Sequence, residues 1–268
     1  MSWKDAVKKR FSVSDDANKW NQMYEQDTEK LDEHFFRLRR DFTVDFIVNR
    51  FNKQAKLCDI GCGAGPVTFE LLRRGYDITG LDYSRDMLDN AARRLVSGQI
   101  PDKPLINGNC EALPFRDNAF DCVACLGVIS YVEHYENIIK EIFRVLKPDG
   151  IVLLSFRSKN NLIMNDPIVL VKSLAKKLSF RRGEEQKFEI GQYLNSREVQ
   201  AKVISNGFDF LGFKGIGFGP FSIKYRQLFT DKTSIKLSQY ISGLADTLKA
   251  EFVFKLASDV NILLFRKP

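Results

Sequence analysis

The chain has 268 residues, of which 44% are apolar, enough for one enzyme-sized domain with a buried core. Its formal charge of +7 would suit an anionic partner such as nucleic acid or a membrane surface, yet much of the excess is gathered in "SLAKKLSFRR", residues 173–182. There is no run of eighteen apolar residues, and "MSWKDAVKKRF" places charges where a signal sequence needs an apolar centre, so a cytoplasmic protein without a membrane span is expected.

In chain order, residues 14–50 are polar with Phe35, Leu38, Phe42, Phe46 and Ile47 at near-helical spacing, which predicts one or two helices; residues 1–50 are read as a helical cap. A different rhythm follows. "KLCDI" reads as a strand, "GPVTFELLRRG" as a helix closed by Gly75, "YDITGLD" as a strand, and "SRDMLDNAARRLVSG" as a helix with Ser84 as its N-cap. "PLING" and "FDCVACLG" continue as strands, "HYENIIKEIFRVLKPDG" as a helix and "IVLLSF" as a strand. Such alternation predicts an α/β fold, a parallel sheet with helices on both faces, and the nearly all-apolar fourth and fifth strands suit burial on both sides.

Residues 51–268 are read as one domain interrupted at about 157–194 and 214–250. Between and after the insertions come a helix, "NSREVQAKVISNGF", a strand, "FDFLGF", a helix over 234–257 and a final strand, "DVNILLFRKP". The five cysteines lie inside apolar runs and are odd in number, which predicts free thiols. Cys122 and Cys125 have C-x-x-C spacing, but an offset of three in a strand points them to opposite faces, and no second pair follows to make a metal site. Cys58, Cys62, Cys122 and Cys125 are read as packing residues.

The stretch "LCDIGCGAGPVT", residues 57–68, joins a strand to a helix through a glycine turn, an arrangement that lets a ligand approach the backbone closely. The dinucleotide pattern G-x-G-x-x-G is matched by Gly61 and Gly63 but has Pro66 in place of its third glycine. Asp59, just before the turn, would repel a pyrophosphate and attract an amine. At the end of the next strand, in "LDYS", Asp82 stands where an acid accepts both hydroxyls of a ribose. A nucleoside with a positively charged amino-acid end and no phosphate fits this pattern, and S-adenosylmethionine is such a molecule.

With "DIGCGAG", "GLDYS", "NGNCEALPFRDNAFDCVACLGVISYVEH" and "RVLKPDG" in this order, residues 55–156 resemble the class I S-adenosylmethionine-dependent methyltransferases of small-molecule type, which include quinone-biosynthesis and natural-product enzymes. The resemblance implies a Rossmann-like sheet of seven mostly parallel strands under a helical cap, S-adenosyl-L-methionine as methyl donor, S-adenosyl-L-homocysteine as product, and no metal. It further implies that Asp59, Gly61, Cys62, Gly63 and Gly65 hold the methionine part, that Asp82 takes the ribose, and that Tyr83 and Met87 lie against the adenine. Asn109 stands where the family often has an aspartate that accepts from the adenine amino group, with Cys110 and Glu111 on the same loop. Leu126 would offer its carbonyl to the amine, while Tyr24 and Arg37 or Arg40 would close over the cofactor, an arginine pairing with its carboxylate.

A phenol or alcohol acceptor usually needs a general base, and the chain has two histidines. His134, closing "ISYVEH", reads as that base or as a cap of the following helix; Tyr131 reads as a hydrogen-bonding wall, and His34 as a packing residue. "CLGVISY" lacks the Asn/Asp-Pro-Pro-aromatic motif of enzymes that methylate exocyclic amines, which disfavours nucleic acid as acceptor, and no carboxylate cluster supports metal-dependent catechol methylation. In "NLIMNDPIVLVKSLAKKLSFRR", Val169, Leu170, Leu174 and Leu178 alternate with Lys172, Lys176, Lys177, Arg181 and Arg182. That pattern fits peripheral membrane contact, a lipid-linked or anionic acceptor, or a lid with a solvated face. The expected function is methyl transfer to an oxygen or nitrogen of a small, partly apolar metabolite. The alternatives are a methyltransferase of protein or RNA and a non-catalytic cofactor-binding regulator or subunit.

Overall fold

The computed structural model describes residues 30–100, 105–159, 191–219, 221–223, 226–247 and 258–268. Seven strands, β1 (Lys56–Ile60), β2 (Asp77–Asp82), β3 (Leu105–Asn107), β4 (Phe120–Leu126), β5 (Leu146–Arg157), β6 (Asp209–Phe218) and β9 (Ser258–Arg266), form one sheet in the order β3-β2-β1-β4-β5-β9-β6. Only β9 runs antiparallel to its neighbours; β7 (Ser222–Ile223) and β8 (Arg226–Gln227) pair separately. The helices are α1 (Leu31–Arg50), α2 (Pro66–Arg73), α3 (Arg85–Ser97), α4 (Glu136–Val145), α5 (Ser196–Ser205) and α6 (Asp231–Thr247). The predicted α/β sheet is present, with seven strands and a Rossmann-like order.

Both faces of the sheet are covered. On one, Val44 and Ile47 of α1 and Val67 and Leu71 of α2 pack with Leu57, Ile151, Leu153 and Ile262. On the other, Ile138, Ile139 and Ile142 of α4 and Val199 and Val203 of α5 pack with Val123, Val152 and Leu154. Each fully buried aliphatic side chain of this kind contributes about 1.5–3 kcal/mol, so the central strands anchor everything at their ends. Cys122 belongs to the first cluster and Cys125 to the second, opposite faces as the strand offset requires.

Chain order reverses between β1 and β4, and this switch point opens a crevice at the carboxyl ends of the strands. Asp59, Asp82, Leu126 and Arg157 all arrive at that edge because each ends, or nearly ends, its strand. Helix α1 lies against β6 through Phe35, and Gly217 permits the contact: its φ is +69°, and a Cβ there would stand 2.2 Å from Phe35 Cε1.

Three expectations change. The helix over "HYENIIKEIFRVLKPDG" stops at Val145, and the remainder joins β5: Pro148 favours extended backbone before it, and Asp149 turns with a φ of +61°. "FDFLGF" continues to Phe218, because Lys214, Gly215 and Ile216 still find partners on β9. In α1 it is Leu31, Phe35, Val44 and Ile47 that are buried, whereas Leu38 is exposed. Residues 14–29 and the basic amphipathic stretch of residues 161–182 lie outside the described residues.

Candidate functional site

The turn after β1 is built by three glycines in the left-handed region, Gly61, Gly63 and Gly65, with φ of +68°, +55° and +73°. Gly61 and Cys62 donate their N–H groups to the Leu81 carbonyl at 2.7 and 3.0 Å, tying the turn to the end of β2. A Cβ on Gly61 would lie 2.2 Å from Val128 Cγ2, so the residue must be glycine for the loop after β4 to come this near. Gly65 is the N-cap of α2 and Pro66 occupies its first turn, where the absent proline N–H costs no helical hydrogen bond.

Two carboxylates flank the turn. Asp82 accepts from the Gly63 N–H through one oxygen and from the Ser84 N–H through the other, each at 2.8 Å. Ser84 in turn caps α3 by accepting from the Met87 N–H at 3.3 Å, so one short segment fixes both the acid and the helix behind it. Asp59 is 3% exposed and accepts from the Thr68 hydroxyl at 2.8 Å. Burial pushes its carboxyl up to about 6; the neighbouring Asp82 adds to the rise, while the Thr68 hydrogen bond and the Arg39 charge oppose it. Burial also raises Asp82, against its backbone hydrogen bonds. Two acids that resist ionisation side by side form a place where a cation is welcome.

A cavity of about 340 Å³ opens at these groups. Of the residues read from the sequence, Asp59, Gly61, Cys62, Gly63, Asp82, Tyr83, Met87, Cys110, Leu126, Arg40 and Tyr131 line it. Gly65 stands just behind it, at the cap of α2. Asn109 does not reach it: its side-chain oxygen accepts from the Glu111 N–H at 3.0 Å, so the loop turns on Asn109, leaving Gly108 and Cys110 at the wall and Glu111 off it. The five cysteines are free and buried, and burial, followed by the charges of Asp82 and Asp59, pushes the Cys62 thiol well up, consistent with packing rather than nucleophilic chemistry. No metal-binding group of His, Cys, Asp and Glu occurs among the described residues.

The cap contributes differently from expectation. Tyr24 lies outside the described residues. Arg37 is off the cavity, and Arg40, although in its wall, pairs with Asp41 at 2.7 Å. Arg39 lines the cavity instead, its guanidinium carbon 4.9 Å from the Phe36 ring centroid, and a Cβ on Gly127 would come 2.9 Å from its Nη1. Helical spacing carries the signal: Phe36, Arg39 and Arg40 fall on one face of α1, from which Arg37 is rotated away.

His134 is exposed and outside the cavity wall, beside Glu136, and the N-cap of α4 is Tyr135, without a side-chain cap bond. The side chain therefore neither faces the crevice nor caps the helix. His34 is half-buried on α1, off the cavity; burial, and then Arg37, hold its pKa below the usual imidazole value. Asp32, Ser130 and Arg157 line the cavity and were not singled out by sequence reasoning. Their only signal was position, Arg157 two residues beyond the last serine of "IVLLSF" and Ser130 inside "ISY".

Residues 58–154 match the protein family described as "Methyltransferase domain". A demethylmenaquinone methyltransferase of Bacillus pumilus is 35% identical over 127 residues, which make up 46% of this chain and 53% of that protein. The chain thus spans about half the length of the curated relatives it matches. Among solved structures, the magnesium protoporphyrin IX methyltransferase of Synechocystis with bound S-adenosylhomocysteine aligns over 100% of both chains, with a TM-score of 0.65 and 15% identity. The cyclase SpnF aligns over 85% of this chain and 80% of its own, with a TM-score of 0.57 and 20% identity. A cyclase and a methyltransferase on one fold show that the fold alone does not assign the chemistry. The family match begins at Cys58 in β1, just before the glycine turn, and ends at Leu154 in β5, so it spans the turn, both flanking acids and the loop after β4.

Proposed function

We propose that the protein transfers the methyl group of S-adenosylmethionine to an oxygen or nitrogen of a small, partly apolar acceptor. The observation that carries this reading is the pair of acids around the turn: Asp82, aligned by the Gly63 and Ser84 N–H groups, and Asp59, buried beside it. When bound, S-adenosylmethionine supplies a methyl group on a cationic sulfur. Asp82 would receive the ribose hydroxyls, and Gly108 and Cys110 with Met87 would bracket the base between the loop after β3 and helix α3. Asp59 would face the ammonium group, and Arg39, whose charge acts on Asp59, would face the carboxylate.

Catalysis on this scheme rests on placement. The chain holds the acceptor in line with the methyl group at near-contact distance and keeps water out, and no covalent intermediate on a side chain is required. Tyr131, in the short 3-10 turn Ile129–Tyr131 after β4, is the side chain we assign to the acceptor wall. Relatives named for demethylmenaquinone and magnesium protoporphyrin IX support a small-molecule acceptor over protein or RNA. No described helix is long and apolar enough to cross a membrane.

The decisive measurement is calorimetric binding of S-adenosylmethionine, S-adenosylhomocysteine and NAD to the wild type and Asp82→Ala, followed by transfer of labelled methyl groups to small acceptors. Micromolar binding of the first two ligands that is lost in the variant supports the reading. Preference for NAD, or indifference to Asp82→Ala, sinks it.

A further inference from the structure

The part of the cavity wall formed by Gly108 and Cys110 follows a short strand. β3 has three residues, lies at the edge of the sheet and pairs with β2 alone, so the sheet gives the loop after it little support. The outgoing end of that loop is tied to the end of β2. The Gly108 N–H donates to the Asp82 carbonyl at 3.0 Å, and the Asn107 side-chain amide donates to the Asp82 and Tyr83 carbonyls at 3.1 and 3.0 Å. A Cβ on Gly108 would stand 2.8 Å from Leu81 Cδ1, so this end is also pressed against β2. Asn109 then turns the chain, and Cys110 comes back to the cavity.

The returning end is held from α4, outside the cavity. Ile138, Ile139, Ile142 and Val145 bury one face of α4, while Glu141 and Arg144, three residues apart, share another. Glu141 Oε2 accepts from the Leu113 N–H at 2.6 Å. Both Glu141 oxygens also accept from Arg144, Oε1 from Nε at 2.9 Å and Oε2 from Nη2 at 2.8 Å. Arg144 Nη2 further donates to the Leu113 carbonyl at 3.0 Å, and Nη1 donates to the Phe115 carbonyl at 2.7 Å and to the Asp117 carboxylate at 2.8 Å. The guanidinium's N–H groups are thereby all engaged, by Glu141 on one side and by the loop on the other.

The Arg144 side chain is 31% exposed and that of Glu141 20%, so the charge pair taken alone is screened and contributes little. The backbone it engages matters more. Leu113 is buried, and its N–H and its carbonyl both end on this pair rather than on water. The Arg144 hydrogen bonds hold the Glu141 carboxyl below the usual carboxylate range, and the Leu113 N–H adds to this against burial. Lysine at this position would bring donors on a single nitrogen, too few for the acceptors that Arg144 serves. Only residues 109–112 lie between the anchor at Gly108 and the anchor at Leu113. Fixing both ends of so short a segment fixes the wall it carries.

We propose that Arg144 and Glu141 are positioning residues for the cofactor: by holding Leu113, Phe115 and Asp117 against α4 they set the wall at Gly108 and Cys110, and with it the affinity for the adenosine half of S-adenosylmethionine. This rests on the methyltransferase reading and adds to it two residues that do not line the cavity. The pair acts through backbone placement, and no bond changes at either residue. Its effect falls on the base and ribose, because the amino-acid end is assigned to Asp59 and Arg39, on β1 and α1, which this network does not include.

The test combines calorimetry with amide hydrogen exchange on the full chain. The probes are S-adenosylhomocysteine and methylthioadenosine, which keeps the base, ribose and thioether but lacks the amino-acid end. Arg144→Gln and Glu141→Ala should weaken both ligands by a common factor of about ten or more. In the cofactor-free protein, Arg144→Gln should speed exchange in residues 108–117 and leave residues 57–68 as in the wild type. Unchanged affinity in both folded variants, a loss confined to S-adenosylhomocysteine, or exchange that rises equally in the two segments would overturn the assignment. If Arg144→Gln does not fold, as judged by circular dichroism, Glu141→Ala and Arg144→Lys decide: affinity for both ligands unchanged in both variants rejects the role. Failure of the wild type to bind S-adenosylhomocysteine would reject the methyltransferase reading instead, and exchange in residues 108–117 of cofactor-free Arg144→Gln would still decide whether Arg144 holds the loop.

Discussion

The two ends of the cavity are built on different terms. At the β1–β2 end the polar groups have partners inside the protein: Asp82 holds two backbone N–H groups, Asp59 holds the Thr68 hydroxyl, and the glycine turn is tied to Leu81. At the β4–β5 end, Ser130 Oγ and Arg157 Nε are buried with no described partner, and the flanking Asp32 comes from the cap. The first end is preorganised for one ligand of constant shape. The second is assembled from separate segments of chain, so its shape depends on how the cap, the loop after β4 and the end of β5 pack together.

Substitutions can break or sharpen this contrast. The largest effect is expected for Asp82→Ala, which removes the acceptor of two N–H groups as well as the ribose contact proposed for it and should weaken S-adenosylhomocysteine by about a hundredfold or more in calorimetry. Gly61→Ala should follow: with a φ of +68° and Val128 Cγ2 at 2.2 Å from the new Cβ, it should cost about 2–3 kcal/mol in urea denaturation and bind the cofactor poorly.

Asp59→Asn should act in opposite directions on folding and binding. The folded carboxyl titrates at about 6, above its unfolded value near 4, so its protonated form favours the folded state. That contribution is complete below the unfolded value and is lost as pH rises through about 6. Above that pH the variant should be more stable than wild type by on the order of 2 kcal/mol, with the difference shrinking toward acid. Binding of S-adenosylmethionine to the wild type should strengthen as pH rises through the same window, because ligand ammonium favours ionised Asp59; the variant should lack that dependence. A pH-independent stability difference would show that Asp59 does not titrate as its burial requires. The smallest effect belongs to His134→Ala, exposed and off the cavity, which should change stability by less than about 0.5 kcal/mol and S-adenosylhomocysteine affinity by less than about twofold.

The contrast between the two ends also marks how far the residues could be read in order. The first end lies on a short stretch of chain, strand–turn–helix–strand, in which each group is placed by its immediate neighbours. Asp59, Gly61, Gly63 and Asp82 were therefore legible from spacing, as was the capping role of Ser84. The second end collects Asp32, Ser130, Arg157, Tyr193 and Asp259 from five separate segments, and none carries a local pattern. Misreadings occurred for related reasons. His134 is two residues from a segment that does enter the cavity, but the 3-10 turn sends Ser130 and Tyr131 inward and leaves His134 in solvent. Arg40 lines the cavity with Arg39, whereas Arg37 does not: helical spacing groups Phe36, Arg39 and Arg40 on one face of α1, but only the seating of Phe35 against Gly217 turns that face to the crevice.

By itself, then, the sequence determined the alternation of strands and helices, the glycine turn and the two acids that flank it, because turn geometry, capping and strand ends are settled by interactions among residues near one another in the chain. Tertiary structure alone decided which residues of α1 line the cavity, that Asn109 turns its own loop, and that Ser130 and Arg157 come to the wall of the same cavity. Those outcomes depend on the strand order that places β4 and β5 beyond β1, and on burial, which leaves a donor without a partner only after the surrounding elements have packed.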